Sequence, residues 1–77
     1  MKVNILFFGQ LTDVTGTTNL VLEDINDTSM LIQQLHTTYP DLLTKKYVIA
    51  VNATVAEENT LLTDNCTVAL LPPFSGG

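Results

Sequence analysis

The sequence predicts an α+β domain in which one main helix packs across one face of a mixed β-sheet. Three observations support this fold class: an alternating apolar segment opens the chain, apolar residues recur at helical spacing over 28–39, and a β-rich run stands at 66–71. With 77 residues, the chain has room for one domain and not for two. We therefore expect a domain over residues 1–71 and an extended, flexible C-terminal tail over 72–77.

The first strand is predicted at residues 2–8, where side chains alternate between two faces. One face carries Val3, Ile5 and Phe7, and the other carries Lys2, Asn4, Leu6 and Phe8. A turn-rich stretch containing Asp13 and Gly16 follows, and the apolar, β-branched segment at 17–22 lies close enough to pair back as a hairpin. The first two elements are thus predicted to be consecutive strands.

The helix is predicted to begin at Asp27 or Thr28, because either side chain can accept a hydrogen bond from a free N–H of the first turn. Pro40 ends the helix, since the residue before a proline avoids helical geometry. Its apolar face carries Leu31, Ile32, Leu35 and Tyr39. A third strand follows at 47–51 and is apolar on both faces, as expected for a buried central position.

Two turn signals separate the remaining segments. Asn52 and Ala53 follow the third strand, while Asp64 and Asn65, whose side chains tolerate left-handed geometry, precede the last strand. This order of elements makes the β-grasp (ubiquitin-like) arrangement the simplest candidate. In that topology the first and last strands are neighbours in the middle of the sheet, and one face buries the helix.

The face of the sheet opposite the helix is predicted to carry an apolar patch. Because side chains alternate strictly along a strand, the inward positions determine which residues point outward. The outward set comprises Leu6, Phe8, Ala69 and Leu71, joined by Leu62. Leaving a large apolar side chain in water forgoes about 1.5–3 kcal/mol, which favours a protein–protein interface beside the tail. Scattered apolar surface residues are also ordinary, so patterning alone leaves that alternative open.

Composition and charge exclude several functional classes. The chain has three lysines, no arginine and a net charge of -5, so it nearly lacks the cations that neutralise phosphates in nucleic-acid complexes. No apolar run approaches the roughly 20 residues of a membrane span. The single Cys66 can form no internal disulfide, in agreement with a reducing compartment. We expect a soluble, cytoplasmic protein that binds neither nucleic acid nor membrane.

The C-terminal tail, residues 72–77, differs from the rest of the chain in its proline and glycine content. Its two prolines stiffen the base, and its final Gly76 and Gly77 lack Cβ atoms and can therefore enter a narrow channel. The candidate reactive group is the Gly77 carboxylate, activated most economically as an acyl-adenylate made with ATP. An activating enzyme is required, because the sequence lacks a phosphate-binding glycine loop and arginine; this chain itself is expected to bind no cofactor. Phe74 is predicted to anchor in a partner pocket, and a merely frayed end is the alternative.

Other candidate site residues favour structural roles. Cys66 is predicted to pack at a strand edge, since a nucleophilic cysteine needs a nearby base or positive charge and the only histidine, His36, lies in the helix. His36 is predicted to be a solvated helix residue, and no Cys/His spacing indicates zinc. Glu57 and Glu58 lie in a turn, where solvated acids are the default.

The closing run VALLPPFSGG, residues 68–77, closely resembles the end of the MoaD family, the small subunit of molybdopterin synthase. The Pro-Pro pair is the more specific signal, because ubiquitin-like modifiers and the thiamine sulfur carrier share the diglycine. The resemblance extends over the whole chain and includes the opening strand, Gly16, Tyr39-Pro40, Ala50-Val51-Asn52 and Leu62-Thr63-Asp64. Thr12 departs from the pattern, since relatives often carry arginine there.

The resemblance implies a β-grasp sulfur carrier of molybdenum cofactor biosynthesis. A MoeB/E1-like enzyme would adenylate Gly77, whose thiocarboxylate would donate sulfur to cyclic pyranopterin monophosphate, with Gly76 as its companion. The partner would be a MoaE-like large subunit in a heterotetramer, with interface positions matching Phe8, Leu62 and Leu71. The alternatives are a carrier for thiamine synthesis or tRNA thiolation, and a ubiquitin-like protein modifier.

Overall fold

The computed structural model describes residues 2–73 of the chain. The strands are β1 (Lys2–Phe7), β2 (Asn19–Glu23), β3 (Val48–Val51), β4 (Thr54–Val55) and β5 (Cys66–Leu71). The helices are α1 (Gln10–Thr15), α2 (Thr28–Thr38) and a 3₁₀ helix at Pro40–Thr44. No helix within the described range has the length and apolar character needed to cross a membrane.

The strands form one five-stranded mixed sheet in the order β2-β1-β5-β3-β4. β1 and β5 are parallel neighbours in its middle, whereas the β1–β2, β3–β5 and β3–β4 pairs are antiparallel. The prediction that the first and last strands are adjacent is therefore confirmed. Both central strands run towards the same end of the sheet, where Phe7 is paired with Leu70 and Val48 with Leu71.

The core lies between this sheet and the helices. Val3, Ile5 and Phe7 of β1 are buried and alternate with partly exposed neighbours, as the sequence pattern predicts. The same alternation buries Val68 and Leu70 of β5. The core cluster also includes Leu11, Ile25, Leu31, Leu35, Leu42, Ile49, Leu62 and Cys66.

Side-chain caps fix the start of α2. The Asp27 carboxylate accepts a hydrogen bond from the Met30 N–H at 2.8 Å, which confirms Asp27 as the N-cap. Asn59, from the loop before β5, accepts a second bond from the Ser29 N–H at 2.9 Å. Pro40 begins the 3₁₀ helix directly after Tyr39, so the predicted end of the main helix is also confirmed.

The segment between β1 and β2 differs from the prediction. It contains α1, whereas the sequence pattern predicts only a turn. A helix of six residues is too short to show apolar periodicity, and one buried residue, Leu11, holds it against the core. Gly16 ends it at φ 73°, and its N–H donates to the Thr12 carbonyl at 2.8 Å.

The predicted turns lie where the backbone requires left-handed geometry. Asn52 and Ala53 have φ values of 48° and 69° and connect β3 to the short β4, a strand that the sequence pattern does not predict. Asn65 has φ 62° directly before β5, which confirms the turn predicted there.

Candidate functional site

The base of the tail leaves the sheet from its central region. Leu71 is the last residue of β5, which lies between β1 and β3, and the exposed Pro72 and Pro73 follow it. The tail therefore begins at the sheet end to which both parallel strands point. The predictions for Phe74, Gly76 and Gly77 lie outside the described residues.

Gly9 contacts the tail base, and sequence reasoning missed this contact. Its φ of 59° and ψ of -137° fall in a backbone region that essentially only glycine occupies. A Cβ built on Gly9 would stand 2.7 Å from the Cγ of Pro72, closer than two such carbons can approach. Gly9 thus permits both the exit of the chain from β1 and close packing against Pro72. A glycine directly after a predicted strand was the only signal in the sequence.

An outer patch covers the sheet face opposite α2 beside the tail base. It consists of Leu6, Phe8, Val48, Ala69 and Leu71. Within it, Phe8 is 44% exposed, and the other four are partly buried by their neighbours in the sheet. The Phe8 N–H donates to the Leu70 carbonyl at 3.1 Å, which extends the β1–β5 pairing and fixes the position of Phe8. The predicted outward orientation of Leu6, Phe8, Ala69 and Leu71 agrees with this burial pattern.

Val48 belongs to the outer patch although the sequence analysis did not assign it there. It is paired with Leu71 in antiparallel register, and directly paired residues project on the same face of a sheet. The assignment needs the register between β3 and β5, which a single sequence does not show. A shallow groove of about 490 Å³ runs from Phe8 and Gly9 past Thr12 to Asn19, so the patch continues towards β2.

The prediction that Leu62 joins the outer patch is wrong. Its side chain is 5% exposed and belongs to the core, whereas the adjacent Leu61 is 79% exposed. The Leu62 N–H donates to the Asn26 carbonyl at 2.8 Å. The backbone of Leu61 is paired with that of Asp27 in an isolated antiparallel β-bridge. These bonds hold the loop before β5 against the start of α2, at the sheet end away from the tail. They direct Leu62 inward.

The structure gives Cys66 and His36 structural roles. Cys66 is buried at the first residue of β5, so the prediction of a packing residue is confirmed, although its strand is central. His36 Nε2 lies 2.7 Å from the Tyr47 hydroxyl, so the prediction that His36 is simply solvated is wrong. Burial raises the pKa of Tyr47, which keeps this hydroxyl protonated. The pair joins α2 to the segment before β3.

Within residues 2–73 no cluster of three His, Cys, Asp or Glu side chains could hold a metal ion. Cys66 stands at the opposite end of β5 from the tail base, since the strand runs from Cys66 to Leu71. The site that the structure presents is therefore a surface, composed of the outer patch and the base of the tail.

A mixed sheet with a helix across one face and two central parallel strands defines the ubiquitin-like β-grasp class, and solved structures of that class match this chain. The chain belongs to the ThiS family, whose sequence profile matches residues 5–77. The small archaeal modifier protein 1 of Methanosarcina acetivorans has the same fold, with a TM-score of 0.83 at 24% identity over 99% of this chain and 96% of that one.

Two further relatives confirm the predicted resemblance to molybdopterin synthase small subunits. The molybdopterin synthase sulfur carrier subunit of Mycobacterium tuberculosis is 33% identical over 82 residues, covering 100% of this chain and 99% of that protein. A structure of the complex between subunits 1 and 2 of the molybdopterin-converting factor from Helicobacter pylori contains a similar chain. The match has a TM-score of 0.75 and 30% identity, with 100% of both chains covered.

Proposed function

We propose that this chain is the sulfur-carrying small subunit of a molybdopterin synthase. The observation that carries the proposal is the end-to-end similarity to the Mycobacterium tuberculosis carrier subunit, at 33% identity over the whole chain. The aligned region extends to the end of this chain and so spans Gly76 and Gly77. The tail base also leaves a central strand beside an apolar surface, an arrangement suited to delivering a chain end into another protein.

The proposed chemistry takes place at the last carbonyl carbon of the chain. A carboxylate oxygen of Gly77 attacks the α-phosphorus of ATP in a MoeB/E1-like enzyme, and pyrophosphate leaves. A sulfide-level sulfur donor then forms a C–S bond at the same carbon while the C–O bond to AMP breaks. The thiocarboxylate sulfur then forms a C–S bond to the side chain of cyclic pyranopterin monophosphate while a C–O bond of that substrate breaks. Water cleaves the resulting thioester at the Gly77 carbonyl carbon, which leaves the sulfur on the pterin and restores the carboxylate.

Each part of the chain has a distinct role in this scheme. Gly76 and Gly77 form the thread that enters the partner, and Phe74 is the proposed anchor before them. Phe8 and Leu71 belong to the outer patch, which we propose as the surface that binds the large, MoaE-like subunit. Burial of such a patch on association recovers about 25 cal/mol per Å² of apolar area. The large subunit contributes the pterin-binding residues.

Mass spectrometry of the intact protein tests the proposed activation. After incubation with the activating enzyme, ATP and a sulfide donor, the mass should increase by the difference between one sulfur and one oxygen. Omitting ATP is the control and should leave the mass unchanged. An unchanged mass in the complete mixture would contradict the proposal.

Two further assays separate the alternatives. Conversion of the cyclic pterin by the thiocarboxylated chain and the large subunit supports the molybdopterin assignment. A carrier for thiamine synthesis or tRNA thiolation would gain the sulfur but would leave the pterin unconverted. A protein modifier would instead produce ladders of proteins joined to this chain through lysines.

Phe8→Asp should weaken association with the large subunit by about thirtyfold, corresponding to about 2 kcal/mol for a central apolar anchor. The fold should persist, because the Phe8 side chain is 44% exposed and leaves no core cavity. Isothermal titration calorimetry measures the affinity, and circular dichroism measures the fold.

Phe7→Asp is the matched control for this prediction. Phe7 is 3% exposed, so its replacement places an unpaired charge in the core and should unfold the domain. If Phe8→Asp unfolds the domain while Phe7→Asp does not, the assigned faces of β1 are reversed. If Phe8→Asp folds and binds with unchanged affinity, the outer patch is not the interface.

A further inference from the structure

Two adjacent lysines, Lys45 and Lys46, lie beside the base of the tail. Val48 is paired with Leu71 in antiparallel register, so residues just before Val48 lie beside residues just after Leu71. Gln10, Leu11, Lys45, Lys46, Pro72 and Pro73 line a groove of about 190 Å³, which we name the lysine groove. It extends from the first turn of α1 to the tail base.

The lysine groove holds two of the three basic residues in a chain that has eight acidic ones. The third, Lys2, lies at the opposite end of the sheet, because β1 begins where β5 begins. Its backbone N–H donates to the Asp64 carboxylate at 2.7 Å. With about 3.3 Å per residue, the six residues of β1 separate the two ends by roughly 20 Å, about two Debye lengths at physiological salt. Lys45 and Lys46 are therefore the two basic residues at the tail end of an acidic protein.

Two acidic residues line a cleft next to the lysine groove. Asp13 and Asp41 line a neighbouring cleft together with Lys45, and they partly offset its charge. Lys46 does not line that cleft, but it does line the lysine groove.

The hydrogen-bonding groups of the groove favour an acceptor-rich occupant. Pro72 and Pro73 have no N–H, and the Leu11 N–H already donates to the Phe8 carbonyl at 3.2 Å. The Lys45 N–H likewise donates to the Leu42 carbonyl, at 3.1 Å. The side-chain donors of the lining residues are the two ammonium groups and the Gln10 amide. Carboxylates match such donors in both charge and hydrogen bonding, whereas an apolar or basic segment would not.

We infer that the lysine groove docks an acidic segment of the protein that receives the tail. This inference rests on the proposed function, because it assumes that another protein holds the C-terminus. Continuity with the tail supports this occupant, since a segment bound between Lys46 and Pro73 touches the tail where it leaves the domain. Such a contact would fix the direction in which the tail departs.

Nuclear magnetic resonance with a labelled chain tests the groove independently of any sulfur chemistry. A peptide of consecutive glutamates should shift the amide signals of Gln10, Leu11, Lys45 and Lys46, while a glutamine peptide of equal length should not. Shifts confined to Lys2, or no shifts, would overturn the inference. Equal shifts with inorganic phosphate at the same ionic strength would also overturn it, because the groove would then be a general anion site.

Replacing both groove lysines by glutamine tests the groove in the assembled complex. Lys45→Gln with Lys46→Gln should weaken binding to the large subunit about five- to tenfold at low salt, and the difference should shrink at high salt. Lys2→Gln is the control and should bind like the wild type. Unchanged affinity of the double variant would overturn the inference. Failure of the wild type to acquire sulfur would instead contradict the proposed function, so the two failures are distinguishable.

Discussion

One alanine appended after Gly77 is expected to abolish sulfur transfer. The extension displaces the reactive carbonyl carbon by up to about 3.5 Å and gives the terminal residue a Cβ. A misplacement of about 1 Å can already reduce a reaction rate a hundredfold, so thiocarboxylate formation should fall by at least that factor. Intact-protein mass spectrometry measures the product directly and also shows whether the added alanine remains in place.

An alanine inserted between Glu57 and Glu58 is the matched control. Both residues are exposed in the loop between β4 and β5 and neither belongs to the core cluster, so the domain should tolerate the insertion. This variant gains the same residue but keeps its terminal Gly77, so it should acquire sulfur at the wild-type rate. Sulfur transfer by the untrimmed C-terminal extension would show that the terminal carboxylate is not the reactive group.

The elements that sequence patterns predict are those with strong local signals. The alternation along β1 and β5 identifies their buried faces, and the Asp27 cap and Pro40 bracket α2, because each depends on neighbours in the chain. The parallel pairing of β1 with β5 does not follow from periodicity. It follows from the order of the elements, which leaves few topologies to consider.

Positions that depend on tertiary contacts are the ones that the patterns miss or misassign. Leu61 and Leu62 are chemically identical, and the backbone pairing of their loop with the start of α2, through the bonds Leu62 N–H to Asn26 and Thr28 N–H to Thr60, decides which one is buried. His36 bonds to Tyr47, eleven residues away, a partner that helical spacing does not indicate. α1 and β4 are too short for periodicity, so packing rather than pattern determines them.

The residues of the candidate site also fall into those that the sequence indicates and those that only the folded chain shows. The composition of the tail indicates Gly76 and Gly77 and the family resemblance adds their chemistry, while alternation supplies the outer patch residues of β5 and of the segment 2–8. Val48 requires the register between β3 and β5. The contact of Gly9 with Pro72 joins residues 63 positions apart, so only the folded chain shows it.

Gly9→Ala is expected to destabilise the domain and to shift the tail base. The backbone at φ 59° and ψ -137° costs a residue with a Cβ about 1–3 kcal/mol. The new methyl also meets the Cγ of Pro72 at 2.7 Å, so Pro72 must move. Urea unfolding measures the free energy of unfolding, and the rate of thiocarboxylate formation reports the displacement of the tail.

Gly16→Ala separates backbone strain from the clash. Gly16 also has a positive φ, at 73°, but no atom lies within 4 Å of its built Cβ. Its replacement should cost only the left-handed conformation, about 1–2 kcal/mol, and leave the thiocarboxylation rate unchanged. The two variants are compared under conditions in which the same fraction of each is folded. If Gly16→Ala then slows the reaction as much as Gly9→Ala does, general destabilisation explains both variants.

Combining Gly9→Ala with Pro72→Ala then tests the contact itself. Pro72→Ala removes the Cγ and Cδ, which lie 2.7 and 3.5 Å from the built Cβ of residue 9, and the remaining Cβ of residue 72 lies at an acceptable 4.0 Å. The double variant should therefore be less destabilised than the sum of the two single variants, by about 1 kcal/mol. If the two effects are additive within error, Gly9 and Pro72 do not interact, and the strand exit does not position the tail through this contact.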